Sequence, residues 1–486
     1  MNRRPLARAA IAAAVALAFL AGLSVDHVAR AAPRRDTSQP YRSLDVFAEV
    51  LAYVQNNYVD EVREKELVYG AVEGMIQGLD PHSAFLRPEV YRAMRDETSG
   101  EFDGVGLELV VKDEVPTVVA PLAESPAERA GLRSGDRILR IDGTPTKDLA
   151  LVEVVRRMKG AAGTQVALEI MRDGFREPQT LRLVRDRVRT SSVDGRILDP
   201  TAGIAYAKIA SFQDRTDRQL KKALDDVRAR LGGEIRGLVL DLRNNPGGLL
   251  DQAVRVADRF LTSGVIVSTE GRGRRAAEVE RAREKDTEPA YPVVVLVNRG
   301  SASASEIVAG ALQDHGRAVV LGTQTFGKGS VQTVIELADG SALKLTVAKY
   351  YTPKHRSIQE LGVTPDVAVG ETPTSPPEEH GPAERDLRRH LRNEQRAPEA
   401  ETVGPERRAE AGTLPRPADG LPTAPGTVAP LPDGVAAPAS DRPGADWQAA
   451  LLHGARGPDH QLDRAVEVLR SRRIPGSPPQ VTPPKE

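Results

Sequence analysis

The sequence predicts an α/β protein whose larger part is a parallel sheet covered by helices. Three observations carry that prediction. Short apolar runs of the buried-strand kind stand at Leu238–Leu242, Val293–Val297 and Ala318–Leu321. Stretches with helical apolar spacing lie between them, at Leu250–Leu261 and Glu306–Leu312. The connections that contain them, residues 243–292 and 298–317, are long enough for the crossovers that parallel pairing requires.

Length and composition set the bounds. A chain of 486 residues holds two or three domains plus linkers. Its 67 Lys+Arg balance 68 Asp+Glu, so no overall field draws it to nucleic acid. Cysteine is absent, which excludes disulfides and thiolate chemistry. The eight histidines show no ligand spacing, so no metal is expected, and no motif of the chain implies another cofactor.

The first element is residues 1–32. Arg3, Arg4 and Arg8 precede an apolar run from Ala9 to Val25, and Ala29-Arg30-Ala31 supplies a small-x-small site. A signal peptide and an uncleaved anchor helix both fit. The expectation is export to the periplasm, soluble after cleavage or held at the inner membrane by a retained helix. Residues 41–95 then form a helical segment. Leu44, Phe47, Val50, Leu51, Val54 and Tyr58 recur at helical steps, and a second helix spans Glu64–Leu79. Two short helices cannot bury both apolar faces alone, so they are expected to dock on the body or on a second subunit. His82, beside Asp80-Pro81, reads as a turn residue.

Residues 100–187 alternate in the strand period, with Asp142-Gly143 and Asp173-Gly174 as tight turns and one helix near Leu149–Met158. Gly131-Leu-Arg-Ser-Gly-Asp136, followed by Ile138-Leu-Arg-Ile-Asp-Gly143, resembles the core of a PDZ domain. That resemblance implies that Gly104, Val105, Gly106 and Leu107 form the loop whose amides capture a terminal carboxylate. A peptide tail would add as a strand starting near Val105. A simple bulge at the two glycines is the other reading. Arg172 follows a strand aimed toward the next domain and is placed to report occupancy to it.

Residues 190–370 carry the chemistry. A strand at Gly203–Ile209 and a helix over Asp217–Leu231 precede the strand at Leu238, which runs into Arg243-Asn-Asn-Pro-Gly-Gly248. Two glycines before a helix let backbone amides face a cavity, as an oxyanion hole requires. Ser303 sits where the strand Val293–Val297 feeds a helix, and Lys328 stands between Gly327 and Gly329. A lysine with a burial-lowered pKa can activate a serine. Spacing alone favours the plainer reading of small helix-start serines and a solvated loop lysine. His315 is excluded as a base, lying about 18 Å along the same helix. Residues 272–285 read as an exposed excursion, and Asp339-Gly340 as a hairpin turn. Residues 371–445, rich in Pro, Ala, Gly and charge, are expected to be a mostly disordered linker with a short helix around Glu384–Asn393. Helical spacing returns in residues 446–474, through Leu462, Val466 and Leu469.

Three runs change the odds: Gly300-Ser-Ala-Ser-Ala-Ser-Glu306, Thr325-Phe-Gly-Lys-Gly-Ser-Val-Gln332 and Asp241-Leu-Arg-Asn-Asn-Pro-Gly-Gly248. Together they resemble the signatures of the C-terminal processing peptidases, or tail-specific proteases. The resemblance extends through Gly78-Leu-Asp-Pro-His-Ser83 and covers about residues 41–370. It implies a catalytic core of the ClpP/crotonase-like superfamily with an inserted PDZ domain and an N-terminal helical segment. It implies Ser303 as nucleophile, Lys328 as general base and Gln332 as the residue that orients the lysine. Amides of Gly247, Gly248 and Ala304 would form the oxyanion hole.

The expected function is therefore that of an exported serine endopeptidase, with protein substrates bearing unstructured apolar tails as partners. A dimer-based homo-oligomer is implied by relatives, and an adaptor protein is a further partner left open. Two other readings compete with this function. A catalytically silent tail-binding adaptor would lack Ser303, Lys328 or Gln332, and all are present. A crotonase-type acyl transferase would need a cytoplasmic acyl-CoA supply, against the export signal.

Overall fold

A computed structural model describes residues 39–274, 278–372, 381–395 and 459–471. The expected signal or anchor at 1–32 and most of the 371–445 linker lie outside them. Among the described residues no helix is long and apolar enough to cross a membrane. The chain divides into two units, Met1–Met75 and Ile76–Glu486.

In the first unit the helix Gln39–Asn57 matches the predicted spacing, and a second helix, Glu64–Gln77, begins in this unit. Leu44, Val46, Phe47, Val50 and Tyr53 of the first helix remain exposed.

The second unit contains the catalytic core. Its main sheet has six strands in the order Val193–Asp199, Ile204–Ile209, Gly237–Asp241, Val293–Val297, Val319–Gly322 and Val367–Ala368. The first pair is antiparallel and every later pair is parallel. Alternate residues of each strand face opposite sides. Leu238, Leu240, Val293, Val295, Val297 and Val320 join a large core under the helices Thr216–Leu231, Leu250–Asp258 and Ala304–Asp314. Val239, Val294, Leu296 and Leu321 point the other way, onto Ala465, Val468 and Leu469 of the helix His460–Ser471. Burial on both faces explains why the central strands read as near-continuous apolar runs.

A second sheet, wholly antiparallel, lines up Ala84–Leu86, Ala342–Tyr351, Val265–Gly271 and Glu278–Arg281, with Ser330–Glu336 also paired to Ala342–Tyr351. The excursion expected at 272–285 is here corrected to an edge strand. Its four residues are all exposed and three are charged, which hides the strand period but suits an edge that must not aggregate.

Residues 101–189 form the small module. A five-strand path runs Leu107–Lys112, Val115–Pro121, Arg137–Ile141, Gln165–Met171 and Gln179–Val184, with the helix Leu151–Met158 packed on it. The chain enters and leaves this module through a two-stranded ribbon, Glu101–Gly104 against Asp186–Arg189.

Residues 381–395 depart from the disordered linker expected there. In place of a helix over Glu384–Asn393, only Glu384–Asp386 forms a 3-10 turn, and Glu384 is fully buried. Hydrogen bonds rather than apolar burial hold this segment, so its composition gives no sign of order.

Candidate active site

Ser303 caps the helix Ala304–Asp314 with φ 56° and ψ −114°. A non-glycine residue persists there only when its surroundings enforce it. The neighbouring serines do the enforcing. Ser301 Oγ donates to the Leu242 carbonyl at 2.8 Å, and Ser305 Oγ donates to the Asn245 carbonyl at 2.9 Å. The Ala302 amide also reaches Asn245 O, at 3.0 Å. The outer hydroxyls thus stitch the turn to the Asp241–Gly248 loop, with Ser303 between them.

Glu306, one helical turn on, is fully buried. Its Oε2 accepts the amides of Ser303 (2.7 Å) and Lys328 (2.9 Å). Its Oε1 accepts the Gly327 amide (2.7 Å) and Thr325 Oγ1 (2.6 Å). One carboxylate therefore grips the backbones of both signature segments. Burial pushes its pKa up to about 7 against those four donors.

Lys328 Nζ donates to Gln332 Oε1 at 2.9 Å. Gln332 is oriented in turn by donating to Ser330 Oγ (3.0 Å) and Thr346 Oγ1 (3.3 Å), and Thr346 donates to Asp80 Oδ1 (3.1 Å). Loss of hydration brings the lysine down to about 8; repulsion from Lys344 adds to this, while Glu384, Glu306 and Asp80 oppose it. Buried Tyr350 spans the two segments. Its hydroxyl donates to the Lys328 carbonyl and lies in hydrogen-bonding reach of the Ser303 hydroxyl. No hydrogen bond joins Ser303 to Lys328 Nζ among the described residues. Such catalytic contacts commonly close only when substrate is in place.

The two glycines of the neighbouring loop have different jobs. The Gly247 amide donates to Asn245 Oδ1 at 2.9 Å, which corrects its expected part in the oxyanion hole: that N–H is already engaged. A side chain on Gly247 would meet Ser303 Cβ at 2.9 Å and Ala304 N at 3.1 Å, so the loop lies directly against the Ser303 turn. At Gly248, φ is 141° and a Cβ would stand 2.2 Å from Phe212 O. The amides of Gly248 and Ala304 face no hydrogen-bond partner among the described residues.

Comparison with known proteins places the whole. Residues 203–369 match Peptidase family S41, residues 117–172 a PDZ domain, and residues 17–90 the N-terminal domain of the activating protease CtpB. A carboxy-terminal-processing protease of Bartonella bacilliformis is 42% identical over 72% of this chain and 81% of its own. A carboxyl-terminal-processing protease of Synechocystis sp. is also 42% identical, over 63% of this chain and 72% of its own. The chain belongs to the carboxy-terminal-processing proteases of family S41. It is a serine-type peptidase carrying a PDZ domain. Among solved structures, a photosystem II D1 C-terminal processing protease aligns with a TM-score of 0.38 at 35% identity, over 66% of this chain and 91% of that one.

The S41 motifs expected from the sequence thus converge on one site. Its supporting residues were not all foreseen. Thr346, Tyr350 and Glu384 lie outside the signature runs, and Asp80, though inside Gly78–Ser83, passed as part of a turn. His82 is in that turn, its amide on Asp80 Oδ1 at 2.9 Å, yet its ring also meets Glu384 Oε2 at 2.7 Å.

In the PDZ module of this S41 peptidase, the four expected peptide-binding residues separate. Gly104 pairs with Asp186 in the ribbon, and Val105 is buried in the module core. Gly106 turns the chain at φ 77°, where a Cβ would strike Ser125 Cβ at 2.4 Å. Leu107 starts the edge strand Leu107–Lys112, which is paired on one side only. Arg172 does not reach out of the module. Its guanidinium is held by Asp136 at 2.5 and 2.7 Å and by Gly131 O at 2.9 Å.

Proposed function

We propose that the chain is an exported endopeptidase that captures unstructured apolar C-terminal tails in its PDZ module and cleaves by a Ser–Lys acyl-enzyme mechanism. Neutral Lys328, oriented by Gln332, accepts the Ser303 proton as Oγ attacks the scissile carbonyl carbon. The oxyanion is held by the amides of Gly248 and Ala304. Lys328 then returns the proton to the leaving amine, the C–N bond breaks and an acyl ester remains on Ser303. A water molecule, deprotonated by Lys328, hydrolyses that ester and restores both residues. The single observation that best supports the reading is the grip of Glu306 on the amides of both Ser303 and Lys328. The unpaired edge at Leu107–Lys112 supports tail capture by strand addition.

The test uses an unfolded reporter with an apolar carboxy terminus. Wild type is expected to cleave it, while Ser303→Ala and Lys328→Ala lose at least about a hundredfold. Amidating the reporter's terminus is expected to raise KM. Equal cleavage by all three proteins would refute the site, and indifference to amidation would refute carboxylate capture.

A further inference from the structure

The scheme above leaves unused a group that stands directly behind the base. Residues 381–395 follow the core and return across the rear of the Phe326–Gly329 turn. Glu384, fully buried, donates its amide to Phe326 O at 3.1 Å. Its Oε1 accepts Gln359 Nε2 at 2.9 Å, and Gln359 Oε1 accepts the Gly329 amide at 2.9 Å. One residue therefore holds the backbone on both sides of Lys328, directly at Phe326 and through Gln359 at Gly329. Its Oε2 meets His82 Nε2 at 2.7 Å. The His82 amide shares Asp80 Oδ1 with Thr346, the residue behind Gln332. The segment is fastened at its far end by Asn393, whose Nδ2 donates to Gln359 O at 2.8 Å.

A carboxylate is buried at this cost in hydration only where polar partners compensate it. Its two oxygens take two separate partners, Gln359 Nε2 and His82 Nε2, a pair of bonds that an amide, with one acceptor oxygen, repeats only by changing the His82 tautomer. We propose that residues 381–395 are a strap completing the active site, and that Glu384 is a positioning residue that fixes the backbone around Lys328 and sets the charge the base feels. The proposal rests on Lys328 being the base.

The charged and titratable groups around Lys328 come from several elements. Lys344 repels its proton, while Glu306, Asp80 and Glu384 attract it; Tyr350 lies at its carbonyl, and His82 sits beyond Glu384. Neutralising Glu384 removes one attraction, so Lys328 loses its proton at lower pH. The acidic limb of kcat then moves to lower pH. A structural pin would leave that limb where it is.

The experiment takes the full chain with Glu384→Gln, Glu384→Ala and Asn393→Ala, assaying reporter cleavage between about pH 6 and about pH 10. Glu384→Gln is expected to shift the acidic limb down by about half a unit or more at unchanged KM. Glu384→Ala is expected to lower kcat about tenfold or more. Asn393→Ala, which keeps the charge but loosens the strap, is expected to lower kcat without moving the limb. An unmoved limb in Glu384→Gln overturns the proposal. So does wild-type kcat in Asn393→Ala, which decides the matter if the Glu384 variants fail to fold. Ser303→Ala and Lys328→Ala, run alongside, separate this failure from failure of the Ser–Lys reading: if Lys328→Ala still cleaves, the base itself is wrong.

Discussion

Placing an ammonium among Lys344, Tyr350 and the core disfavours its charged form, and the consequences can be signed. Lys328 titrates near 8 when folded against 10.5 for a free lysine. In the proposed mechanism Lys328 accepts a proton only when neutral, so activity should fall about tenfold per unit as pH drops below about 8. Stability follows the same shift. Between about 8 and 10.5 the unfolded chain holds a proton the folded chain has lost, so stability rises with pH there. Below about 8 the full deficit, roughly 3 kcal/mol, is present. Lys328→Met should therefore be inactive yet melt a few degrees higher at neutral pH, which differential scanning calorimetry would show. Glu306 offers the converse test. Both of its oxygens accept from two donors, so Glu306→Gln would set an NH₂ against N–H groups despite its identical size. Cleavage should fall about a hundredfold or more, and normal turnover by that variant would show the grip to be dispensable. The proposed trio Ser303, Lys328 and Gln332 could be named from the sequence because each member lies in a short contiguous run. Its supports could not: His82 and Glu384 are 302 positions apart, and Asp80 and Thr346 are 266 apart. No local pattern joins such residues; only the fold does.

At the scale of elements, the helix His460–Ser471 matters more than its place near the chain's end implies. It covers the sheet face opposite the three core helices. It also brings Asp459 to Arg243, whose guanidinium is shared with buried Asp241 at the root of the Gly247–Gly248 loop. Leu469→Ala should cost about 2–5 kcal/mol, read from chemical denaturation, and Leu469→Asp more. Wild-type stability in both would mean that the helix is not part of the core. Helical spacing through Leu462, Val466 and Leu469 announced this element. Its docking site was also written in the strands, since near-continuous apolar runs need cover on both faces and the foreseen helices covered one. The strand Glu278–Arg281 was invisible for the opposite reason: fully exposed, it carries no alternation.

For the molecule as a whole, the exposed row Leu44, Val46, Phe47, Val50 and Tyr53 is a contiguous apolar surface on one helix. Monomeric proteins rarely leave such a surface open. Sedimentation should therefore return a multiple of the monomer mass, and Phe47→Glu with Val50→Glu should return the monomer. A wild-type chain that sediments as a monomer would contradict this.

The ribbon that leads into and out of the PDZ module has one more consequence. Beyond its outer end, the Thr190 amide donates to the Gly100 carbonyl at 2.9 Å, so the chain leaves the core and rejoins it at one spot. To the core fold, everything from Glu101 to Arg189 is topologically a surface loop, and the entropy of closing a loop grows only slowly with its length. The module is in that sense a cassette: Gly100 and Thr190 joined by a short turn would preserve the path of the remaining chain, and a foreign recognition domain with adjacent termini could be spliced into the same gap.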